Sequence, residues 1–169
     1  RGFYTKTQHF HVFAVHWNGL QTATTSMTSS AGALRFSLVL ALALAILFGF
    51  TRPQVQGDVA EYAVTTIAFA AHGSADIRLE DIARAREVVP EMTGPYDLLE
   101  AGMRDNSPQL YAAFTRGREG KVYAVHFWGY PLLAALPFKL LDAAGLPPLK
   151  AFQAVNYGAV FVLGLALFR

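Results

Sequence analysis

The residues best suited to chemistry are two carboxylates at the predicted start of a helix. The stretch GDVAEY begins at Gly57 and follows an apolar run, with Asp58 and Glu61 three residues apart. A carboxylate held at a helix N-terminus stays ionised at a fixed depth, where it can accept a proton from an attacking hydroxyl or orient a bound cation. Tyr62 lies one turn beyond Asp58 on the same face, where its ring could support a sugar or a lipid phosphate.

The same spacing also fits a purely structural role. Asp58 and Glu61 have the i, i+3 spacing of a capping box, in which Asp58 accepts a hydrogen bond from the Glu61 backbone N–H and the Glu61 side chain returns to the N-cap amide. On these residues alone the sequence favours the cap. A cap and a catalytic base do not exclude each other.

A second candidate lies in KVYAVHFWGYPLL, which begins at Lys121. A predicted strand brings His126 to an aromatic boundary formed by Trp128 and Tyr130. Trp and Tyr gather at membrane interfaces without a catalytic purpose, so these two rings need no functional explanation. His126 could donate to a phosphate or ligate a metal, and a divalent metal is therefore compatible with the site. A single histidine is more often a structural hydrogen-bonding residue.

The composition around these residues is that of a membrane protein. Of 169 residues, 53% are hydrophobic and 15% are charged, which is typical of chains that enter a bilayer. A net charge of +2 without a basic stripe argues against nucleic acid as a partner. The absence of cysteine excludes disulfides, thiolate metal sites and a cysteine nucleophile.

Two apolar runs predict transmembrane helices. Residues 31–50 contain one charge, Arg35, and residues 149–168 form a second run of the same length. Twenty residues are enough for a helix to cross roughly 30 Å of hydrocarbon. If Arg35 and Arg169 face the cytoplasm, the loop 51–148 lies outside it.

The first run could instead belong to a signal peptide, with cleavage after Val55-Gln56-Gly57. That triplet is a poor match to the small-residue cleavage site, and the apolar run is long for a signal peptide. We therefore favour a retained span. Residues 1–30 are interpreted as an N-terminal extension that is non-native before Met27, and its scattered histidines are given no role.

The loop is expected to be mainly helical. The helix that begins at Asp58 should end at Gly73, and an amphipathic helix should run from Leu79 until Pro90 stops it. Residues 110–115 and 121–125 predict a short β-hairpin. Residues 130–146 are too short and too charged for a confident span, so they predict a helix in the membrane interface or one that re-enters the bilayer.

The order of these features resembles a family. Residues 31–169 contain five features in a fixed order. An apolar span is followed by Gly-Asp-x-x-Glu-Tyr, then by a His-Gly pair about ten residues later, then by the block GREGKVYAVHFWGYPLLAALPFKLL and a second span. This order is similar to the N-terminal part of the GT-C type membrane glycosyltransferases, in particular the dolichyl-phosphate-mannose-protein mannosyltransferase-like and lipid A aminoarabinose transferase-like group.

The resemblance implies a function and a set of site residues. Asp58 matches the family's catalytic acid, and Glu61, Tyr62 and His126 are expected to contact the substrate. Enzymes of this family move a sugar from a polyprenyl-phosphate donor to a lipid or protein acceptor. The resemblance therefore implies a location in the plasma membrane, which is the inner membrane of a bacterium. We expect this N-terminal part to be inactive alone. Two departures are visible: Val59 replaces a second acid that many members carry, and the His126 block lacks the adjacent prolines.

Two other classes of function are compatible with the sequence. The chain could be a non-catalytic membrane-anchored loop domain or a subunit of a membrane complex, and the acidic pair would then be only a cap. A transporter is the third class, and it usually carries an ionisable residue inside a span. The polar residues well inside the predicted spans are Gln153 and Asn156, which we expect to hydrogen-bond to neighbouring helices.

Overall fold

The structure is a computed structural model that describes residues 30–168. The N-terminal extension up to residue 29, with its histidines, and the predicted cytoplasmic Arg169 lie outside the described residues. The described chain is mostly helical and carries an apolar helix at each end. Its elements are α1 (Ser30–Phe50), α2 (Val59–His72), α3 (Leu79–Val88), α4 (Thr93–Arg104), β1 (Phe114–Arg116), β2 (Val122–Ala124), α5 (Gly129–Ala143) and α6 (Lys150–Phe168).

Helices α1 and α6 are long and apolar enough to cross a bilayer, with 20 and 19 residues in their apolar parts. They also pack against each other. The rings of Phe36 and Phe168 stack with centroids 4.2 Å apart, and Gly164 lies so close to Leu40 that an added Cβ would be 2.6 Å from its Cδ2 atom. The two apolar runs predicted from the sequence therefore form one helical pair.

Helix α2 lies at the centre of the part between the two apolar helices, in contact with α3 and α5. Its middle is buried on nearly every side, and small side chains such as Ala63 and Ala68 let its neighbours approach closely. The predicted end at Gly73 is confirmed: this glycine has a φ of 69° and donates its N–H to the Phe69 carbonyl. Such a left-handed residue is the usual way to stop a helix.

Helix α3 has the predicted start and is followed by a short 3₁₀ turn at Pro90–Met92. The next helix, α4, was not predicted from the sequence, and Gly94 and Pro95 lie in its first turn. A proline in the first turn costs little, since that turn's N–H groups have no partner inside the helix. Helix α4 buries Tyr96 and Leu99 in the core.

The predicted β-hairpin is present, with strands shorter than expected. Strands β1 and β2 pair antiparallel over three residues each, with Thr115 opposite Tyr123. The guanidinium of Arg116 holds the hairpin to the end of α4, because it donates to the carbonyls of Ser107 and Gly102 at 2.9 Å each. The hairpin thereby sets the course of the segment that leads from β2 to α5.

Helix α5 covers most of the segment predicted as an interfacial helix. It buries Pro131, Ala134 and Phe138, packs on α2 and α6, and tolerates Pro137 within its length. Its other face exposes Leu132, Leu133, Leu136 and Leu140. An exposed apolar face is what an interfacial helix requires, and its position in a bilayer stays a prediction.

Candidate functional site

Asp58 occupies the N-cap position of α2 without acting as a cap. Its backbone has φ −81° and ψ 15°, and its side chain makes no capping hydrogen bond. N-cap residues usually have extended backbone angles that direct the side chain toward the first free amides, and Asp58 departs from them. The capping box expected from the Asp58 and Glu61 spacing is therefore wrong. The exposed Asp58 carboxylate accepts no hydrogen bond from the described residues.

Glu61 turns away from the helix N-terminus and toward the segment between β2 and α5. Its side chain is only 1% exposed. One carboxylate oxygen, Oε1, accepts the backbone N–H of His126 at 2.9 Å, and the other, Oε2, lies 2.5 Å from the His126 Nδ1 atom. A buried carboxylate needs such partners, because it has lost its hydration. Glu61 therefore positions both the backbone and the ring of His126.

The imidazole of His126 is half-exposed and surrounded by negative charge. The hydrogen bond that the Glu61 carboxylate accepts raises the pKa of His126 above its usual value, and the negative charges of Glu61 and Asp58 act in the same direction. Removal of the ring from water opposes these effects, and it is smaller than either contribution of Glu61 but larger than that of Asp58. His126 consequently stays protonated over a wider pH range than a free histidine.

Asp58, Glu61 and His126 form one cluster, which we call the acid–histidine cluster. One ligand atom from each residue lies within 4.8 Å of the other two. Two carboxylates and an imidazole are donors that suit a zinc or manganese ion. Without a metal, the same groups place an exposed carboxylate beside an imidazole whose pKa is raised. The structure thus brings His126 to the two carboxylates that the sequence places on one turn of a helix.

Tyr62 packs against the first turn of α5. Its ring meets the ring of Tyr130 edge to face, with centroids 5.8 Å apart. Both tyrosines line a cavity of about 360 Å³ between the end of α1 and the first turns of α2, α5 and α6. We call it the tyrosine cavity. Its walls also include Arg52, Val59, Gln153 and Asn156.

Several cavity residues had been given other roles from the sequence. The sequence places Tyr130 at an aromatic membrane interface. Gln153 and Asn156 were expected to bond to neighbouring helices. That expectation is confirmed: Gln153 donates to the Thr51 hydroxyl at 3.1 Å, and Asn156 accepts from the Tyr130 hydroxyl at 3.1 Å. No local sequence signal places these residues around one space.

A second histidine–carboxylate contact has a structural role. The His72 Nε2 atom lies 3.0 Å from Asp81 Oδ2, which also accepts the Arg78 backbone N–H at 2.8 Å. Asp81 is therefore the residue that caps the start of α3 and ties it to the end of α2. Both side chains are buried or nearly so, and they are held apart from the acid–histidine cluster by the length of α2.

Comparisons of the chain with protein-family models, with curated proteins and with solved structures found no match. The function is accordingly inferred from the geometry of the site and from the resemblance carried by its motifs.

Proposed function

We propose that the chain is the N-terminal part of an integral-membrane glycosyltransferase of the GT-C type. It would move a sugar from a polyprenyl-phosphate donor to a lipid or protein acceptor. One observation carries the proposal: a carboxylate free of hydrogen bonds from the described residues, Asp58, stands just beyond the end of an apolar helix and beside the buried Glu61–His126 pair. A structural cap would have used that carboxylate.

In the proposed reaction Asp58 is the catalytic base. It accepts the proton of the acceptor hydroxyl as the hydroxyl oxygen attacks the anomeric carbon of the sugar. The bond between that carbon and the phosphate oxygen breaks, and the electron pair leaves with the polyprenyl phosphate. His126 lies beside Asp58 in the acid–histidine cluster, and the negative charge of Asp58 contributes to the raised pKa of the imidazole. Glu61 is a positioning residue, because it acts through His126.

A membrane location is part of the proposal. Leu38, Val39 and Leu42 of α1 are each more than 60% exposed, and such a continuous apolar surface is unfavourable in water. The packing of α1 on α6 supports a retained span rather than a cleaved signal peptide, because α6 would otherwise lose its partner. We place the part between α1 and α6 outside the cytoplasm.

The test is an Asp58→Asn substitution in the native protein, assayed in membranes with radiolabelled polyprenyl-phosphate sugar. Loss of a general base should lower sugar transfer by about 100-fold or more. The melting temperature should stay unchanged, because Asp58 makes no capping hydrogen bond. Asp105→Asn is the matched control, since Asp105 is an exposed acid at the end of α4.

The same experiment separates the proposal from its rival, a non-catalytic membrane-anchored domain or subunit. Unchanged transfer by the Asp58→Asn protein would remove Asp58 from the mechanism. A lowered melting temperature with unchanged transfer would return Asp58 to a structural role.

A further inference from the structure

We propose that the tyrosine cavity is the binding site for the glycosyl-phosphate headgroup of the lipid donor, with the phosphate on Arg52 and the sugar between Tyr62 and Asn156. The inference rests on the proposed function, since it identifies where that donor is held. The cavity volume of about 360 Å³ falls within the usual range of small-ligand sites, about 300–1,000 Å³.

Arg52 is the cation that suits the phosphate. It follows the last turn of α1, is exposed, and makes no ion pair or hydrogen bond with the described residues. A guanidinium can donate two parallel hydrogen bonds to a phosphate. In the proposed enzyme α1 crosses the bilayer, and Arg52, at its end, would then lie at the depth of the lipid headgroups.

The neighbouring cation is already engaged. The Lys150 ammonium donates to the Phe48 carbonyl at 2.6 Å and lies 5.0 Å from the Phe48 ring centre. These contacts tie the start of α6 to the end of α1. Arg52 also borders a larger cavity of about 610 Å³, which is lined by Lys150 and the Pro147-Pro148 turn. Of the two cations, Arg52 is therefore the one available to a ligand.

The cavity walls suit a sugar. The Tyr62 ring and the Val59 side chain provide an apolar surface against which the C–H groups of a sugar ring can pack. The Asn156 Oδ1 atom accepts from Tyr130, which leaves the Asn156 amide N–H groups to donate to sugar hydroxyls. The Gln153 Oε1 atom is buried and has no hydrogen-bond partner among the described residues. It is an acceptor that a ligand hydroxyl or a water could satisfy.

Two residues of the cavity wall, Val59 and Tyr62, lie in the first turn of α2, next to Asp58 in the chain. Asp58 directly precedes Val59, and its carbonyl accepts the Tyr62 N–H at 3.0 Å. The catalytic carboxylate and the sugar-facing ring therefore belong to the same turn of α2.

The test measures donor binding without transfer. The purified protein in detergent is titrated by native mass spectrometry with undecaprenyl phosphate, its hexose-bearing form, undecaprenol and phosphatidylglycerol. We expect both undecaprenyl phosphates to bind at least about ten-fold more tightly than undecaprenol, because the phosphate supplies charge-assisted hydrogen bonds. Phosphatidylglycerol should bind more weakly than the glycosylated lipid. Equal binding by phosphatidylglycerol would make this a general headgroup site and overturn the assignment.

Variants locate the two parts of the headgroup. Arg52→Gln should weaken the binding of both undecaprenyl phosphates by about ten-fold. Arg35→Gln, at the opposite end of α1, should leave their binding unchanged. Asn156→Leu should weaken the binding of the hexose-bearing lipid and leave the binding of undecaprenyl phosphate unchanged. Circular dichroism melting shows whether each variant is folded. If Arg52→Gln is unstable, Arg52→Lys keeps the charge but loses the planar fork, and it should still bind less tightly. Unchanged binding by the folded Arg52 variants would overturn the proposal.

The experiment distinguishes failure of this inference from failure of the proposed function. The Asp58→Asn protein should bind the donor normally. If Arg52-dependent binding is found but Asp58→Asn retains transfer, the catalytic role of Asp58 fails and the donor site stands. If transfer needs Asp58 but Arg52→Gln binds the donor like the wild type, the donor site fails and the function stands.

Discussion

At the residue scale, the contact between Glu61 and His126 explains how a charged side chain can be buried in the centre of this protein. Glu61 is 1% exposed while the His126 side chain is 52% exposed, so the pair has one desolvated and one solvated member. The Glu61 carboxylate raises the pKa of the His126 imidazole above its usual value. The contact should therefore depend on pH.

A pH titration of stability tests this dependence. The folded-state pKa of His126 is raised, while the unfolded-state value is about 6.5. The contact should therefore stabilise the fold fully below pH about 6.5, and this contribution should be lost as the pH rises through the folded-state pKa. The melting temperature of Glu61→Gln should lie furthest below the wild type at low pH, with a smaller gap at alkaline pH.

The control for this titration is Glu91→Gln, because Glu91 is an exposed acid without a hydrogen bond to the described residues. Its melting temperature should follow that of the wild type at every pH. An imidazole NMR titration provides the second readout: Glu61→Gln should lower the pKa of His126. A His126 pKa that is the same in both proteins would contradict the contact.

At the element scale, α4 shows how a helix with an unpromising sequence is held by its packing. Leu99 and Tyr96 are buried, whereas Leu98, on the neighbouring face, is 60% exposed. A 12-residue helix with two glycines and a proline is weak in isolation. Its stability must come from the contacts of this one apolar face.

Two substitutions on α4 measure that contribution. Leu99→Ala should lower the free energy of unfolding by about 2–5 kcal/mol, because it leaves a cavity in the core. Leu98→Ala, the matched control, should change it by less than about 0.5 kcal/mol. Denaturant unfolding followed by circular dichroism gives both values. Equal costs at the two positions would mean that α4 does not pack as described.

At the scale of the whole molecule, helix α6 packs on both α1 and α5, and α1 and α5 expose large apolar side chains. The tyrosine cavity lies between the end of α1 and the first turns of α2, α5 and α6. The acid–histidine cluster includes Asp58, which directly precedes α2. In the proposed enzyme this arrangement lets a lipid donor keep its chain in the bilayer while its headgroup enters the cavity.

Cysteine labelling tests the orientation. The chain has no cysteine, so single substitutions report one position each. Arg118→Cys, in the turn between β1 and β2, should react with a membrane-impermeant maleimide in intact cells. Arg35→Cys, near the start of α1, should react only after the cells are lysed. Labelling of Arg35→Cys alone in intact cells would reverse the orientation, and labelling of both positions would contradict the two-span topology.

The features that depend on near neighbours could be predicted from the sequence. The two apolar helices follow from twenty-residue runs with almost no charge, and the end of α2 follows from Gly73, which can adopt the left-handed conformation without strain. The hairpin follows from two short strand-like runs around glycines. Each of these signals is contained in a few adjacent residues.

The arrangement of the site was decided only by the tertiary structure. Glu61 and His126 are 65 positions apart, and the spacing of Asp58 and Glu61 by itself favoured a cap. The segment after β2 instead brings His126 to α2. The buried Glu61 carboxylate accepts the backbone N–H of His126 and contacts the Nδ1 atom of its ring. Local spacing describes what a carboxylate can reach along its own helix, and packing decides which partner it meets.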